Sequence, residues 1–144
     1  MGIWQIKNYQ TLSIQELYAL LQLRSEVFVV EQNCVYQDLD NKDQHADHLL
    51  YFEDSLLACA RLFAPGHYFK DASIGRVVVK KDRRGQEIGH ELMRRAITYL
   101  DNKYQTTITI SAQQYLEHFY NQHGFMSVGG TYLEDGIPHI RMVR

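Results

Sequence analysis

The sequence is poor in cysteine: only Cys34 and Cys59 occur, and they are not spaced as a CxxC pair. The opening residues, MGIWQIKNYQ, lack the basic start and the apolar stretch of a secretory signal. Disulfides belong mainly to oxidising compartments, and nothing in the sequence indicates one. We therefore expect a cytoplasmic protein whose thiols are reduced.

Long apolar runs and an excess of positive charge are also missing. No run of about 18 apolar residues occurs, so no membrane-spanning helix is expected. The formal charge of −2 argues against a nucleic-acid-binding domain, since such domains are usually strongly basic. Internal repeats, low-complexity tracts and Pro/Gly/Ser-rich linkers are absent, and 144 residues suffice for one core. The sequence predicts a single domain over residues 1–144.

Common phosphate and metal motifs do not occur either. Gly89 is followed by His90, so there is no GxxxxGK[ST] loop, and no GxGxxG follows a strand. The absence of these motifs argues against an ATP-binding or dinucleotide-binding protein. The segment DLDNKDQHADH fails as an EF-hand, because Asp43 and Leu49 stand where that loop needs Gly and Glu. Loop clusters of this kind usually face solvent, and we expect no metal site.

Hydrophobic periodicity predicts the element order β α β β β α β α β β, an α/β mixed sheet with helices on both faces. Ser13 and Glu16 have capping-box spacing before a helix whose buried stripe should begin at Ile14. Val77–Val79 form a run that is apolar enough for a central strand covered on both sides. A second helix is expected from about Gln86 to Lys103.

The segment KKDRRGQEIGHELMRRA, residues 80–96, places basic residues at the start of that second helix. Cations are unfavourable there, because the backbone amides of a helix N-terminus already carry positive partial charge. A strand followed by such a loop is a prepared anion site, and Arg83 and Arg84 can add charge-assisted bonds to phosphate oxygens. An ordinary basic surface turn is the alternative from these residues alone.

Two motifs then resemble a known family, the GCN5-related N-acetyltransferases (GNAT superfamily). The segment VVVKKDRRGQEIG is similar to its acetyl-CoA motif, [Q/R]-x-x-G-x-[G/A] after a strand, and FYNQHGF is similar to its F-Y-x-x-x-G-F signature. The segments LYALLQLRSEVFVVEQNCVYQDLDNKD and YLEDGIPHIRM resemble the ElaA-like branch of that superfamily. The resemblance extends from about Trp4 to Arg144.

This resemblance implies a mixed, mostly antiparallel sheet whose fourth and fifth strands splay apart around acetyl-CoA. The backbone of the fourth strand, at Val77 and Val79, would pair with the pantetheine arm. Ser111 and Ala112, at the end of the fifth strand, would face the gap between the strands. The pyrophosphate would be held by the amides of Arg84, Gly85, Gln86, Glu87, Ile88 and Gly89.

Glu87 departs from the family motif, which has glycine at this position. A left-handed backbone would cost glutamate roughly 1–2 kcal/mol relative to glycine, and a carboxylate turned toward pyrophosphate would repel it. We favour a helical φ at Glu87 with its side chain in solvent. Weakened CoA affinity is the alternative.

Tyr120, the tyrosine of FYNQHGF, is the expected catalytic acid. Its ordinary pKa is about 10, so the phenol is protonated at neutral pH and can donate to the leaving thiolate. The alternative is that Tyr120 is a core aromatic side chain beside Phe119. The general base or acceptor site is expected among Glu31, His48, Glu134, Asp135 and His139.

The sequence thus predicts an N-acetyltransferase that moves an acetyl group from acetyl-CoA to a primary amine of a small molecule or peptide. The expected route is direct attack in a ternary complex, rather than through an acyl-enzyme on Cys34. Two alternatives are a CoA-binding sensor with little turnover and a phosphate-binding adaptor unrelated to CoA. Neither the acceptor nor the oligomeric state is predicted. Acidic Asp38, Asp40 and Asp43 could favour a cationic acceptor.

Overall fold

The computed structural model describes residues 2–144. Their strands are β1 (Ile3–Asn8), β2 (Asp47–Phe52), β3 (Leu56–Phe63), β4 (Ser73–Val79), β5 (Thr109–Gln113), β6 (Met126–Glu134) and β7 (Ile137–Val143). Their α-helices are α1 (Ile14–Arg24), α2 (Ile88–Tyr104) and α3 (Glu117–Asn121). The predicted order of elements is confirmed. No helix in this part of the chain is long and apolar enough to cross a membrane.

The strands form two antiparallel sheets, in the orders β1-β2-β3-β4 and β5-β7-β6. Within the described residues the sheets join through a single parallel bridge, between Ala72 and Ile108. Beyond that bridge β4 and β5 diverge, so the predicted splay of the fourth and fifth strands is confirmed. Val77–Val79 pair with β3 along one edge only, so they do not lie in a central strand. Both faces are covered as predicted: Val78 packs in the core under α1, and Val77 and Val79 pack against the main core.

A β-bulge at Arg76 accompanies this divergence. The pairing of β3 with β4 steps from Cys59↔Val78 to Arg61↔Gly75, so two residues of β4 oppose Ala60 alone. Arg76 adopts a φ of 48°, in the left-handed region. A bulge bends its strand and increases the local twist, which turns the end of β4 away from β5.

Helices cover both faces of the first sheet, as predicted. On one face, Leu20, Leu23 and Val27 pack with Leu50 and Cys59. On the other face, α2 packs its buried stripe against alternate residues of β2 and β3; this stripe includes Leu92, Ala96 and Leu100. Because side chains alternate along a strand, neighbouring residues of one strand contribute to the two opposite cores.

The start of α1 shows one confirmed prediction and one wrong one. The Ser13 Oγ accepts from the Glu16 amide at 3.0 Å, and a Glu16 carboxylate oxygen accepts from the Ser13 amide at 2.8 Å, which completes the capping box. Ile14 was expected in the buried stripe but is 83% exposed. As the first helical residue, it lies beyond the edge of the sheet that the later turns cover.

Three arginines and three aspartates form a largely buried ion-pair cluster between α1, the following loop and β3–β4; they are Arg24, Arg61, Arg76, Asp38, Asp40 and Asp43. Asp38 accepts from Arg24 Nε at 2.9 Å and from Arg76 Nε at 2.8 Å. The expectation that these aspartates draw a cationic acceptor is wrong, because arginines already occupy their carboxylates. Their role is to fix the loop of residues 33–46 against the sheet.

Candidate active site

A cavity of about 440 Å³ lies in the gap between β4 and β5. Both diverging strands line it, as do α3, the β6–β7 turn and three residues that follow α1, Val27, Phe28 and Gln32. We refer to Arg84, Gly85, Glu87, Gly89 and His90 as its loop side, and to Ser111, Glu134, Asp135 and His139 as its hairpin side. The cavity is thus a product of the splayed strands.

On the loop side, the backbone amides before and at the start of α2 lack acceptors. The Arg84 amide donates to Lys81 O at 3.4 Å, and the first amide bonded within the helix is that of Glu91, to Glu87 O. Among the described residues, no acceptor meets the amides of residues 85–90. The amides without acceptors are therefore those of residues 85–90, one residue later in the chain than the predicted set, Arg84–Gly89. Six consecutive free N–H groups at a helix N-terminus form an anion site.

The arginines of this loop are held in ion pairs. Arg84 forms a bidentate ion pair with Glu31, with N–O distances of 2.6 and 3.0 Å, and its Nε donates to Val79 O at 3.0 Å. Arg83 pairs with Glu53 at 3.0 Å. The hydrogen bond from Arg84 lowers the pKa of Glu31, which stays ionised. Glu31, expected as a base, is outside the cavity wall and serves as the counterion of Arg84.

Glu87 adopts the left-handed conformation, with a φ of 66° and a ψ of 6°. The expected helical φ is wrong, although the side chain is exposed as predicted. Glycine, which the motif of the resembling family has at this position, adopts such a φ without strain. Its amide is still free to donate, and the cost is the strain of a β-carbon in this region, roughly 1–2 kcal/mol.

Replacing Glu87 by glycine is expected to tighten binding of acetyl-CoA, the ligand that the resemblance implies, by about three- to tenfold, because it removes a negative charge from the anion site. The backbone strain is already present without ligand, so its relief should stabilise the fold by roughly 1–2 kcal/mol instead. Calorimetric titration of wild type, Glu87→Gly and Glu87→Gln measures the change. The glutamine variant removes the charge and keeps the strain, so it should match the glycine variant in affinity and wild type in stability. Weaker binding by Glu87→Gly would show that the carboxylate contributes to the site.

The other expected cofactor residues divide between cavity and core. Val77, Val79 and Ser111 line the cavity. Ala112 is 2% exposed and packs in the main core, since neighbouring residues of a strand point to opposite faces. Ile88 is buried at the start of the α2 stripe, and Gln86 is exposed outside the cavity wall. None of Gln86, Ile88 and Ala112 lines the cavity.

Tyr120 lies in the cavity wall and is 6% exposed. No described group hydrogen-bonds to its hydroxyl. Because that oxygen is nevertheless not fully buried, it opens toward the cavity. The Phe119 ring meets it edge-on, with the ring centroids 5.2 Å apart. Burial raises the pKa of Tyr120 above its ordinary value of 10.0, which keeps the phenol protonated.

A hydrogen-bonded group lies on the hairpin side. His139 Nδ1 is 2.7 Å from Ile137 O, and His139 Nε2 is 3.6 Å from a Glu134 carboxylate oxygen. Ser111 donates to the other Glu134 oxygen at 3.0 Å and lies 2.5 Å from the Tyr132 hydroxyl. A carbonyl oxygen can only accept a hydrogen bond, so Nδ1 carries the proton, and in the neutral ring Nε2 then has a free lone pair.

The remaining base candidates are placed differently. Asp135 lines the cavity in a two-residue turn with Gly136, with φ values of 53° and 77°. These are the values of a type I′ hairpin, for which Asp-Gly is a preferred pair. His48 is 2% exposed, with Nε2 2.9 Å from Asp43 O, and it does not line the cavity. Its expected place at the acceptor pocket is therefore wrong.

Two residues at the candidate site, Tyr132 and Arg76, were not among those predicted from the sequence. Tyr132 pairs directly with His139 across β6 and β7, and Glu134 follows two residues later on the same face. That alternation was the available signal. Arg76 lines the cavity and donates to Asp38, and a charged residue inside the apolar strand SIGRVVV was the corresponding signal.

Comparison with known proteins gives concordant results. The family model described as an acetyltransferase (GNAT) domain matches residues 9–144. Protein ElaA of Escherichia coli (strain K12) is 42% identical over 145 aligned residues, which cover 98% of this chain and 95% of that protein. The crystal structure of Escherichia coli ElaA matches with a TM-score of 0.93 at 40% identity, over 100% of this chain and 99% of the other. An acyl-CoA N-acyltransferase from Pseudomonas aeruginosa matches with a TM-score of 0.92 at 44% identity, over 99% of each chain.

Proposed function

The chain belongs to the GNAT acetyltransferase family, and from that premise we propose that it is a single-domain N-acetyltransferase. It uses acetyl-CoA as donor and transfers the acetyl group to a primary amine by direct attack in a ternary complex. The observation that carries this proposal is one cavity whose wall joins the free amides of residues 85–90 to the Tyr120 hydroxyl.

The loop side fits the anionic half of the donor. Free amides at the start of α2 can bind pyrophosphate oxygens, while the edge of β4 at Val77 and Val79 offers backbone groups to the pantetheine amides. Arg84, held by Glu31 and Val79 O, fixes the loop rather than reaching into the cavity. Bound acetyl-CoA supplies the acyl group to be transferred, which it carries as a thioester.

His139 is the proposed general base. An alkylamine has a pKa near 10 and must be deprotonated before it attacks. The Nε2 lone pair can take this proton, since the bond from Nδ1 to Ile137 O fixes the tautomer. Glu134, 3.6 Å away, then faces the resulting imidazolium and stabilises its charge. Tyr120 gives its proton to the sulfur as the carbon–sulfur bond breaks.

The test has a binding step and a turnover step. Calorimetry should show micromolar acetyl-CoA binding that is at least tenfold tighter than ADP binding, about 1.4 kcal/mol or more, because ADP lacks the pantetheine arm. Release of free thiol in the presence of primary amines then measures transfer. Equal affinity for ADP and acetyl-CoA would indicate a phosphate-binding adaptor. Tight binding with no turnover on any amine would indicate a CoA sensor.

A further inference from the structure

The hairpin side of the cavity carries two carboxylates that no described lysine or arginine pairs with, those of Glu134 and Asp135. Glu134 is bonded only to the neutral Ser111 hydroxyl and lies beside His139. Asp135 is exposed at the tip of the β6–β7 turn, and its backbone carbonyl accepts from Cys34 Sγ at 3.2 Å. The wall at this side therefore carries an excess of negative charge.

The arginines of the cavity wall do not offset this excess. Arg76 is committed to Asp38 at 2.8 Å and lies 3.5 Å from Asp40. Arg84 is committed to Glu31 at 2.6 Å. His90 Nδ1 shares a hydrogen bond with His123 Nε2 at 2.8 Å. In residues 2–144, then, no free cationic side chain in the wall remains to hold a carboxylate on an acceptor.

We propose that the acceptor is a small linear diamine or polyamine, whose reacting nitrogen is accompanied by a second positive charge. This inference rests on the proposed function and names its substrate class. The reacting nitrogen lies between His139 and Glu134, and the second ammonium group is held at the rim by Asp135. A carboxylate at the far end of the acceptor would meet Asp135 and be repelled.

The transfer step is balanced within this arrangement. The reacting ammonium gives one proton to His139 Nε2, and its nitrogen forms a bond to the acetyl carbon. The carbon–sulfur bond breaks, and the sulfur takes the Tyr120 proton. The second proton that the nitrogen loses on becoming an amide returns to the Tyr120 oxygen, and His139 releases its proton to solvent. The product amide has one positive charge fewer than the acceptor, which weakens its attraction to Glu134 and favours its release.

Three acceptors of equal chain length test the inference: 1,5-diaminopentane, n-pentylamine and 5-aminopentanoate. They share a primary amine and differ at the far end, which is positive, neutral or negative. We expect kcat/KM to fall in that order, by about tenfold or more at each step, and the differences to shrink in 1 M salt. Dissociation constants for the CoA-loaded protein, measured calorimetrically, should follow the same order whether or not turnover occurs.

Two variants assign the effect to the carboxylates. Asp135→Asn keeps the left-handed turn, which Asn tolerates, and Glu134→Gln keeps an oxygen for Ser111. Asp135→Asn should remove most of the preference for the diamine over pentylamine, whereas Glu134→Gln should lower binding of and transfer to both amines together. Asp54→Asn, which removes the same charge from an exposed turn between β2 and β3, should leave the preference unchanged.

The outcomes separate this inference from the proposed function. Acetylation of 5-aminopentanoate as efficiently as the diamine would overturn the inference and leave the acetyltransferase intact. Absence of transfer to all three amines would count against the proposed function. The binding order would then still decide the inference, because equal binding of the three compounds to the CoA-loaded protein overturns it.

Discussion

Replacement of Tyr120 by phenylalanine is expected to lower kcat for acetyl transfer by roughly 10²- to 10⁴-fold, the usual contribution of a positioned acid. The phenol is held in a dry wall of the cavity, where burial penalises a thiolate as it penalises a phenolate. A leaving thiolate therefore needs a proton at once, and the Tyr120 hydroxyl opens to the cavity with no described partner. The substitution removes one oxygen atom and preserves the packing of the ring.

Steady-state kinetics together with acetyl-CoA calorimetry measure this effect. The dissociation constant for acetyl-CoA should change by less than about threefold, since the loop side of the cavity is untouched. Tyr18→Phe, at a tyrosine that is 72% exposed on α1, is the matched control and should behave as wild type. If Tyr120→Phe kept its kcat, the thiolate would take its proton from water, and Tyr120 would be a packing residue.

The Asp38→Asn variant should lose about 3–5 kcal/mol of folding free energy, with a fall in Tm of about 10 °C or more. Asp38 is 3% exposed and accepts from both Arg24 and Arg76. The amide that replaces it presents N–H groups to guanidinium N–H groups, and it leaves buried positive charge uncompensated. Acetyl transfer should also suffer, because Arg76 becomes free to move within the cavity wall.

Thermal and urea unfolding compare this variant with Asp54→Asn, at an exposed residue that forms no ion pair with any residue of 2–144. The control should lie within about 0.5 kcal/mol of wild type. A Tm for Asp38→Asn within about 2 °C of wild type would contradict the prediction. In that case the ion-pair cluster would determine where the loop of residues 33–46 lies without adding to the free energy of folding.

Local patterns predicted most of the elements correctly, and the failures have a common cause. The capping box at Ser13 and the second helix each depend on residues close in sequence. Ile14 and His48 were misplaced because their exposure depends on which distant segment covers them. The free amides of residues 85–90 were expected almost correctly, since they follow from a strand, a loop and a helix in succession.

By itself, the sequence determined the order of elements, the two helical faces and the family, because periodicity, caps and motifs are encoded within a few residues of each other. Only the tertiary structure decided how the charges are paired. Arg84 meets Glu31 across 53 residues, and Arg76 meets Asp38 across 38. Those pairings remove the arginines from the cavity and leave Glu134 and Asp135 unopposed. The net electrostatics of a site depend on which opposite charges the fold brings within a few ångströms, and sequence spacing does not specify that.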